Sequence, residues 1–208
     1  MSQKFANSVL GLGLALLLGG CAQGGSATTA TATSAPQLAT TTESLHTVVP
    51  PGMKLGLHRM GEGFEVAEYI PADQAIGTWS NLFAATMLAR KPGVTLPQLV
   101  TEQQQGAVND CTMPPAATAP SYFTDGGLPA VAQGIACGRN KSSGQGEMTV
   151  IKTVLGNSAV FQIQRAYRLP PVATSAMLHL PPGADTEMAT RLQYSFVCPV
   201  QNPQGRCK

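Results

Sequence analysis

Apolar and polar positions change period several times along the chain, and each change marks an element. Val9 to Leu18 is apolar throughout, interrupted only by glycine. A run of about ten residues is half of the roughly twenty that a bilayer-spanning helix needs. Ala22 to Thr42 has no apolar period at all. From Met53 the period becomes two. Met53, Leu55, Leu57 and Arg59 fall on one side, and Lys54, Gly56, His58 and Met60 on the other. Gly61-Glu62-Gly63 reads as a turn and Phe64 to Ile70 as the returning strand. A three-residue turn sets Arg59 opposite Glu65 and Leu55 opposite Tyr69.

The next periods are helical. Thr78 is placed to N-cap a helix ending before Pro92, with Trp79, Leu82, Phe83, Thr86 and Met87 on one face; a strand is the competing reading. Thr95-Leu96-Pro97 opens a second helix, which turns Leu96, Leu99, Val100 and Gln103 inward and ends near Gly106. Asn109 to Pro129 reads as loop, and Val131 to Gly138 as a short strand carrying Cys137. After the polar loop Arg139 to Gly146 comes a hairpin, Glu147 to Leu155 and Ala159 to Arg168, around Gly156-Asn157-Ser158. Phe161, Ile163 and Tyr167 share one face of its second strand, Gln162, Gln164 and Arg168 the other. Arg165 falls on the apolar face. Asp185 reads as the N-cap of a helix carrying Met188, Leu192 and an i,i+4 pair, Glu187 and Arg191. Phe196 to Val200 is a last strand. Together these predict an α+β fold: an antiparallel sheet of about five to seven strands with two or three helices on one face.

The N-terminal run has a chemical meaning. A short head with one charge, Lys4, precedes it, and Leu18-Gly19-Gly20-Cys21 follows. These four residues resemble the lipobox of bacterial lipoprotein precursors. The resemblance implies cleavage before Cys21 and a thioether-linked diacylglycerol on its thiol. It also implies a further acyl chain, of the palmitate type, on the amine. Acyl chains gaining about 0.8 kcal/mol per buried CH₂ hold a protein on a bilayer without a spanning segment. Residue 22 is Ala rather than Asp; by the sorting rule of enteric lipoproteins this implies the outer membrane, with the domain facing the periplasm. The organisation expected is a signal peptide over 1–20, a lipidated, disordered tether over 21–46, and one domain over 47–208. Twenty-one uncharged Ala/Thr/Ser/Gly-rich residues, 22–42, reach about 25 Å r.m.s. as a flexible coil.

Charge then narrows the partners. Only 12% of residues are charged and the net charge is +2. No basic stripe addresses nucleic acid, and no polybasic patch addresses a membrane surface. In an exported chain Cys111, Cys137, Cys198 and Cys207 read as two disulfides. Three pairings are possible; Cys111–Cys137 and Cys198–Cys207 close short local loops, the first adding about 3.5 kcal/mol in the chain-entropy model. The absence of a Cys-x-x-Cys pair and the scatter of His46, His58 and His179 argue against a metal site.

No Gly-x-Ser-x-Gly, His-Glu-x-x-His, Ser-x-x-Lys or phosphate-binding glycine loop occurs, so neither catalysis nor a cofactor is expected. Trp79, the one tryptophan, reads either as core or as the wall of a ligand pocket. Arg165 reads either as a strand-end charge paired with an acid such as Glu68 or Glu147, or as an anion reader with Arg168 or Lys152 nearby. Glu68-Tyr69-Ile70-Pro71 with Thr78-Trp79-Ser80, and Gly146-Glu147 through Arg168, resemble segments of small bacterial envelope lipoproteins of unassigned function. The resemblance carries fold and location, and no catalytic residue. The expectation is a non-enzymatic envelope lipoprotein with a protein partner. The alternative is a small-ligand binder using Trp79 and Arg165 in one concave site.

Overall fold

The computed structural model describes residues 42–199. The apolar run, Cys21, residues 22–41 and Cys207 lie outside the described residues. Among the described residues the chain runs β1 (Glu43–His46), β2 (Met53–Gly61), β3 (Phe64–Pro71), β4 (Asn81–Ala89), α1 (Leu96–Asp110), β5 (Ala116–Ala117), β6 (Ser121–Asp125), β7 (Leu128–Cys137), β8 (Gly146–Leu155), β9 (Ala159–Leu169), α2 (Ala184–Tyr194) and β10 (Phe196–Pro199). Eight of these strands form one antiparallel sheet in the order β2-β3-β4-β9-β8-β7-β5, with β6 beside β7 as well. The remaining two, β1 and β10, make an antiparallel ribbon of their own.

The β2–β3 hairpin forms, with its turn one residue tighter than expected. Gly61 pairs with Phe64 around Glu62-Gly63, and Gly63 takes φ +74°. Arg59 therefore lies opposite Val66, and Glu65 meets His58 instead, Nε2 to Oε1 2.9 Å. A bulge between Leu55 and Leu57 takes up the difference, so Leu55 still lies opposite Tyr69. Glycine suits this bulge, because a Cβ on Gly56 would lie 2.9 Å from Ile70.

Residues 78–91 are not a helix. Leu82 through Thr86 are buried without a break in β4, between β3 and β9. A strand covered on both faces loses its alternation and reads as a continuous apolar run, which here mimicked a helical face. The 109–129 segment, expected as loop, contains β5 and β6. Both are short edge strands among prolines, which hid them. These three strands bring the main sheet to eight.

Helix α1 starts where Thr95 and Pro97 place it. Thr95 and Gln98 form a reciprocal capping box. The helix continues past Gly106 to Asp110, because Ala107 buries against Ile135 and Ile151. Gln103 turns inward and bonds Thr153 Oγ1 at 2.8 Å. Gly183, not Asp185, is the N-cap of α2, and Asp185 lies in its first turn. Glu187 and Arg191 pair at 3.2 Å as the spacing required.

The helices do not share a face. Leu192 of α2 packs with Val154, Phe161 and Ile163, whereas Leu96, Leu99 and Val100 of α1 pack with Leu155 and Val160. Neighbouring strand residues point to opposite sides of a sheet, so α1 and α2 lie on opposite faces. The α2 face also carries the ribbon, through Leu45 and Val197. The first described strand, Glu43–His46, thus packs into the core ahead of the expected boundary at 47. The Glu43 carboxylate accepts hydrogen bonds from the Asn157 N–H (2.6 Å), the Ser158 N–H (3.1 Å) and the Ser158 hydroxyl (3.1 Å). It clamps β1 over the β8–β9 turn.

Lys152 is 3% exposed and lies in β8 under the end of α2. Its ammonium donates to the Leu192 carbonyl (3.1 Å) and the Ser195 carbonyl (2.6 Å), and pairs with Asp125 Oδ2 (2.8 Å). A cation at a helix C-terminus complements the dipole. Replacing it by Lys152→Met leaves the Asp125 charge buried beside bare carbonyls. The expected loss is about 3–5 kcal/mol, read as a lower urea midpoint. Lys152→Met/Asp125→Leu is expected to recover part of it.

Candidate functional site

Among the described residues, two concave places and a buried charge cluster stand out once the core is assigned. The expected pairing of Trp79 with Arg165 is not among them. Trp79 is 7% exposed and packs with Ile70, Leu82, Ala84 and Ala166, whose β9 member lies on the α1 side. Arg165, one position earlier, faces α2. Its Nε meets Glu187 Oε2 at 2.8 Å, and Nη1 donates to Asn81 Oδ1 and the Leu82 carbonyl, both at 3.0 Å. Nη2 meets the Tyr167 hydroxyl at 3.1 Å, and that hydroxyl donates to Glu187 at 3.2 Å. This guanidinium is spent on joining β4, β9 and α2.

Arg168 does meet Trp79. Its guanidinium carbon lies 3.7 Å from the indole centroid, and Nη1 donates to the Gly77 carbonyl at 3.0 Å. Stacking and strand register then place it in a row of charges on the α1 face. Arg59 acts on Glu68, Glu68 on Arg168, Arg168 and Asp110 on Glu147, and Lys141 on Asp110.

Glu147 is the buried member of this row, 6% exposed. Its Oε2 lies 3.9 Å from Arg168 Nε, and Thr149 donates to Oε1 at 3.5 Å. Neither contact is close, so burial dominates and pushes its carboxyl up to about 7. Arg168 and Thr149 oppose the rise, and Asp110 and Glu68 add to it. Burial also raises Asp110, against Lys141, and Glu68, against Arg59 and Arg168. It lowers Arg168, against Glu147 and Glu68. Glu147 and Asp110 line a cavity of about 20 Å³ with Asn140, Thr149 and the Cys111–Cys137 disulfide. That space suits about one water. The cluster is able to hold a proton near neutral pH.

The disulfide joins the end of α1 to the end of β7, Cα to Cα 5.7 Å. Cys198 is disulfide-bonded too, and the expected pairing with Cys207 lies outside the described residues. Among the described residues no three His, Cys, Asp or Glu side chains are grouped to hold a metal.

The second concave place is a groove between α2 and the sheet. Ala132 and Val150 form its floor, Leu180, Met188, Ala189 and Leu192 its walls, and Asp185 its rim; its volume is about 360 Å³. It exists because β7 turns Ala130, Ala132, Gly134 and Ala136 to this side, and these small residues leave room below the helix.

The sequence pointed to Glu68 or Glu147 only as a partner for Arg165, which pairs with Glu187 instead; Glu147 lies near Arg168, and neither Glu147 nor Asp110 stood out as a site residue. A signal was present: in a β7–β8 hairpin with the polar loop between, Cys137 and Glu147 become cross-strand partners. A carboxylate beside a half-cystine is then placed in the interior.

No protein-family model and no curated protein sequence matches this chain. Among solved structures it is similar to LpqN, described as involved in cell envelope biogenesis of Mycobacterium tuberculosis. The identity is 12% and the TM-score 0.39, over 79% of this chain and 87% of that one.

The Glu147 carboxyl makes stability depend on pH. An unfolded Glu loses its proton near 4.5, the folded one at about 7. Its contribution is therefore full below 4.5 and lost as pH rises through 7, a decline on the order of 3 kcal/mol. Urea unfolding at pH 5 and pH 8 measures it. Glu147→Gln is expected to flatten most of the difference.

Proposed function

We propose that this chain is a lipid-anchored, non-enzymatic lipoprotein of the bacterial envelope. It sits on the periplasmic face of the outer membrane and binds a protein partner there. The observation that carries this reading is Leu18-Gly19-Gly20-Cys21 directly after the apolar run. Two structural facts agree with it. Among the described residues no helix is long and apolar enough to cross a membrane. The first described strand begins at Glu43, well after Cys21 in the sequence.

The charged groups of the domain support binding rather than catalysis. Arg165 and Lys152 are committed to tying helices onto the sheet. Glu147 faces a disulfide instead of an open cleft. A second reading, small-ligand binding, is favoured by the groove beside α2. Trp79 is on the opposite face and would not report it, so thermal melting with and without apolar ligands is the measurement for that reading.

The anchor is tested by fractionating cells that express the full chain. Wild-type protein is expected with the outer membrane, and Cys21→Ala in the soluble periplasm. Retention of the variant on membranes would remove lipid as the anchor. Cross-linked capture is expected to yield a stoichiometric envelope protein from wild type and to lose it with Cys21→Ala.

A further inference from the structure

The disulfide and the buried carboxyl of the α1 face share one cavity, and no function described above uses them. Cys137 and Glu147 are directly opposed on β7 and β8, and both line the small space at the end of α1. Cys111 is the C-cap of α1, and its N–H closes the last turn on the Ala107 carbonyl. We propose that Cys111–Cys137 is a pH-gated redox clasp on the C-terminal end of α1, with Glu147 as the acid that protonates Cys137 when an external dithiol opens the bond.

A thiolate of the dithiol attacks Cys111 Sγ, and the Cys111–Cys137 bond breaks. The electron pair goes to Cys137 Sγ, which takes the Glu147 proton. The second thiol of the reductant, as thiolate, then attacks its own sulfur in the mixed disulfide. Cys111 leaves as thiolate and takes a proton from solvent, and the reductant departs as a disulfide. The leaving group matters because expulsion is faster when the departing sulfur is stabilised. A protonated Glu147 supplies a hydrogen to that sulfur; an ionised one repels it.

The charges around Glu147 set where the gate lies. Asp110 from α1 and Glu68 from β3 hold its proton on, and Arg168 from β9 draws it off. Lys141, whose Nζ donates to the Asn109 carbonyl, moderates Asp110, and Arg59 on β2 moderates Glu68. The end of α1 adds negative potential of its own at Cys111. The reduced pair is therefore disfavoured as thiolates, and the clasp stays closed unless a proton is delivered.

The test uses the full chain and dithiothreitol between pH 5 and 9. Opening is followed by alkylating and weighing the peptides that carry Cys111 and Cys137, which keeps the Cys198 bond out of the signal. Each rate is divided by that of oxidised glutathione under the same conditions, which removes the ionisation of the reductant. The corrected rate is expected to fall about tenfold or more from pH 6 to pH 8. Glu147→Gln is expected to give a flat profile at the slow limit. Asp110→Asn, at a half-exposed position, keeps the acid and is expected to move the midpoint to lower pH. A flat wild-type profile, or a wild-type profile in Glu147→Gln, overturns the proposal. If Glu147→Gln does not fold, an unmoved midpoint in Asp110→Asn overturns it.

Discussion

The interior of this domain is organised by one buried ammonium. Lys152 lies in the middle of the sheet, and its ammonium ties together two distant parts of the chain: Asp125 at the end of β6, and the Leu192 and Ser195 carbonyls at the end of α2. A buried cation is tolerated only with every donor satisfied and a counter-charge present. That requirement turns Lys152 into a specification. The Asp125 turn and the end of α2 have to arrive together, and the main apolar cluster closes around them through Leu192, Val154 and Phe161. Glu43 repeats the device with the opposite sign on the β8–β9 turn, fixing the ribbon at the other end.

The two faces of the sheet solve different problems. The α2 face holds the large aromatic core, Tyr69, Phe83 and Phe161, and its polar groups are structural. The α1 face is shallower. Its apolar clusters are small, and between them runs the row of charges that includes Glu147 beside the disulfide. The buried acid there stands beside the covalent bond that ties α1 down. Stability, protonation and redox state are thus coupled at one end of one helix, on the face away from the groove beside α2.

A lipid anchor of the kind proposed would fit this domain physically. Acyl chains on Cys21 would supply membrane affinity and leave the surface of the domain for recognition. An oxidising compartment favours a disulfide at the end of α1. A dithiol reductant reaching it would act on a bond whose leaving group has its own proton source.

Much of the local structure was legible in the sequence. Alternation located β2, β3, β8 and β9; Thr95 and Pro97 opened α1; Glu187 and Arg191 marked α2; and two local half-cystines, Cys111 and Cys137, were paired correctly. These are short-range signals, written in period, caps and turns. The lipobox-like Leu18-Gly19-Gly20-Cys21 is a local pattern too, but it lies outside the described residues. What the sequence alone did not carry were the consequences of burial on two sides. Residues 81–89 lost their alternation because β4 is central, and β5 and β6 were too short to show one. Only the tertiary structure decided that α1 and α2 take opposite faces, which parts Arg165 from Trp79 and joins Trp79 to Arg168. It likewise decided that Glu147 lies in the interior beside Cys137. The physical reason is the same in each case: which side of a sheet a residue faces, and how much water it keeps there, is set by strands and helices far away in the chain.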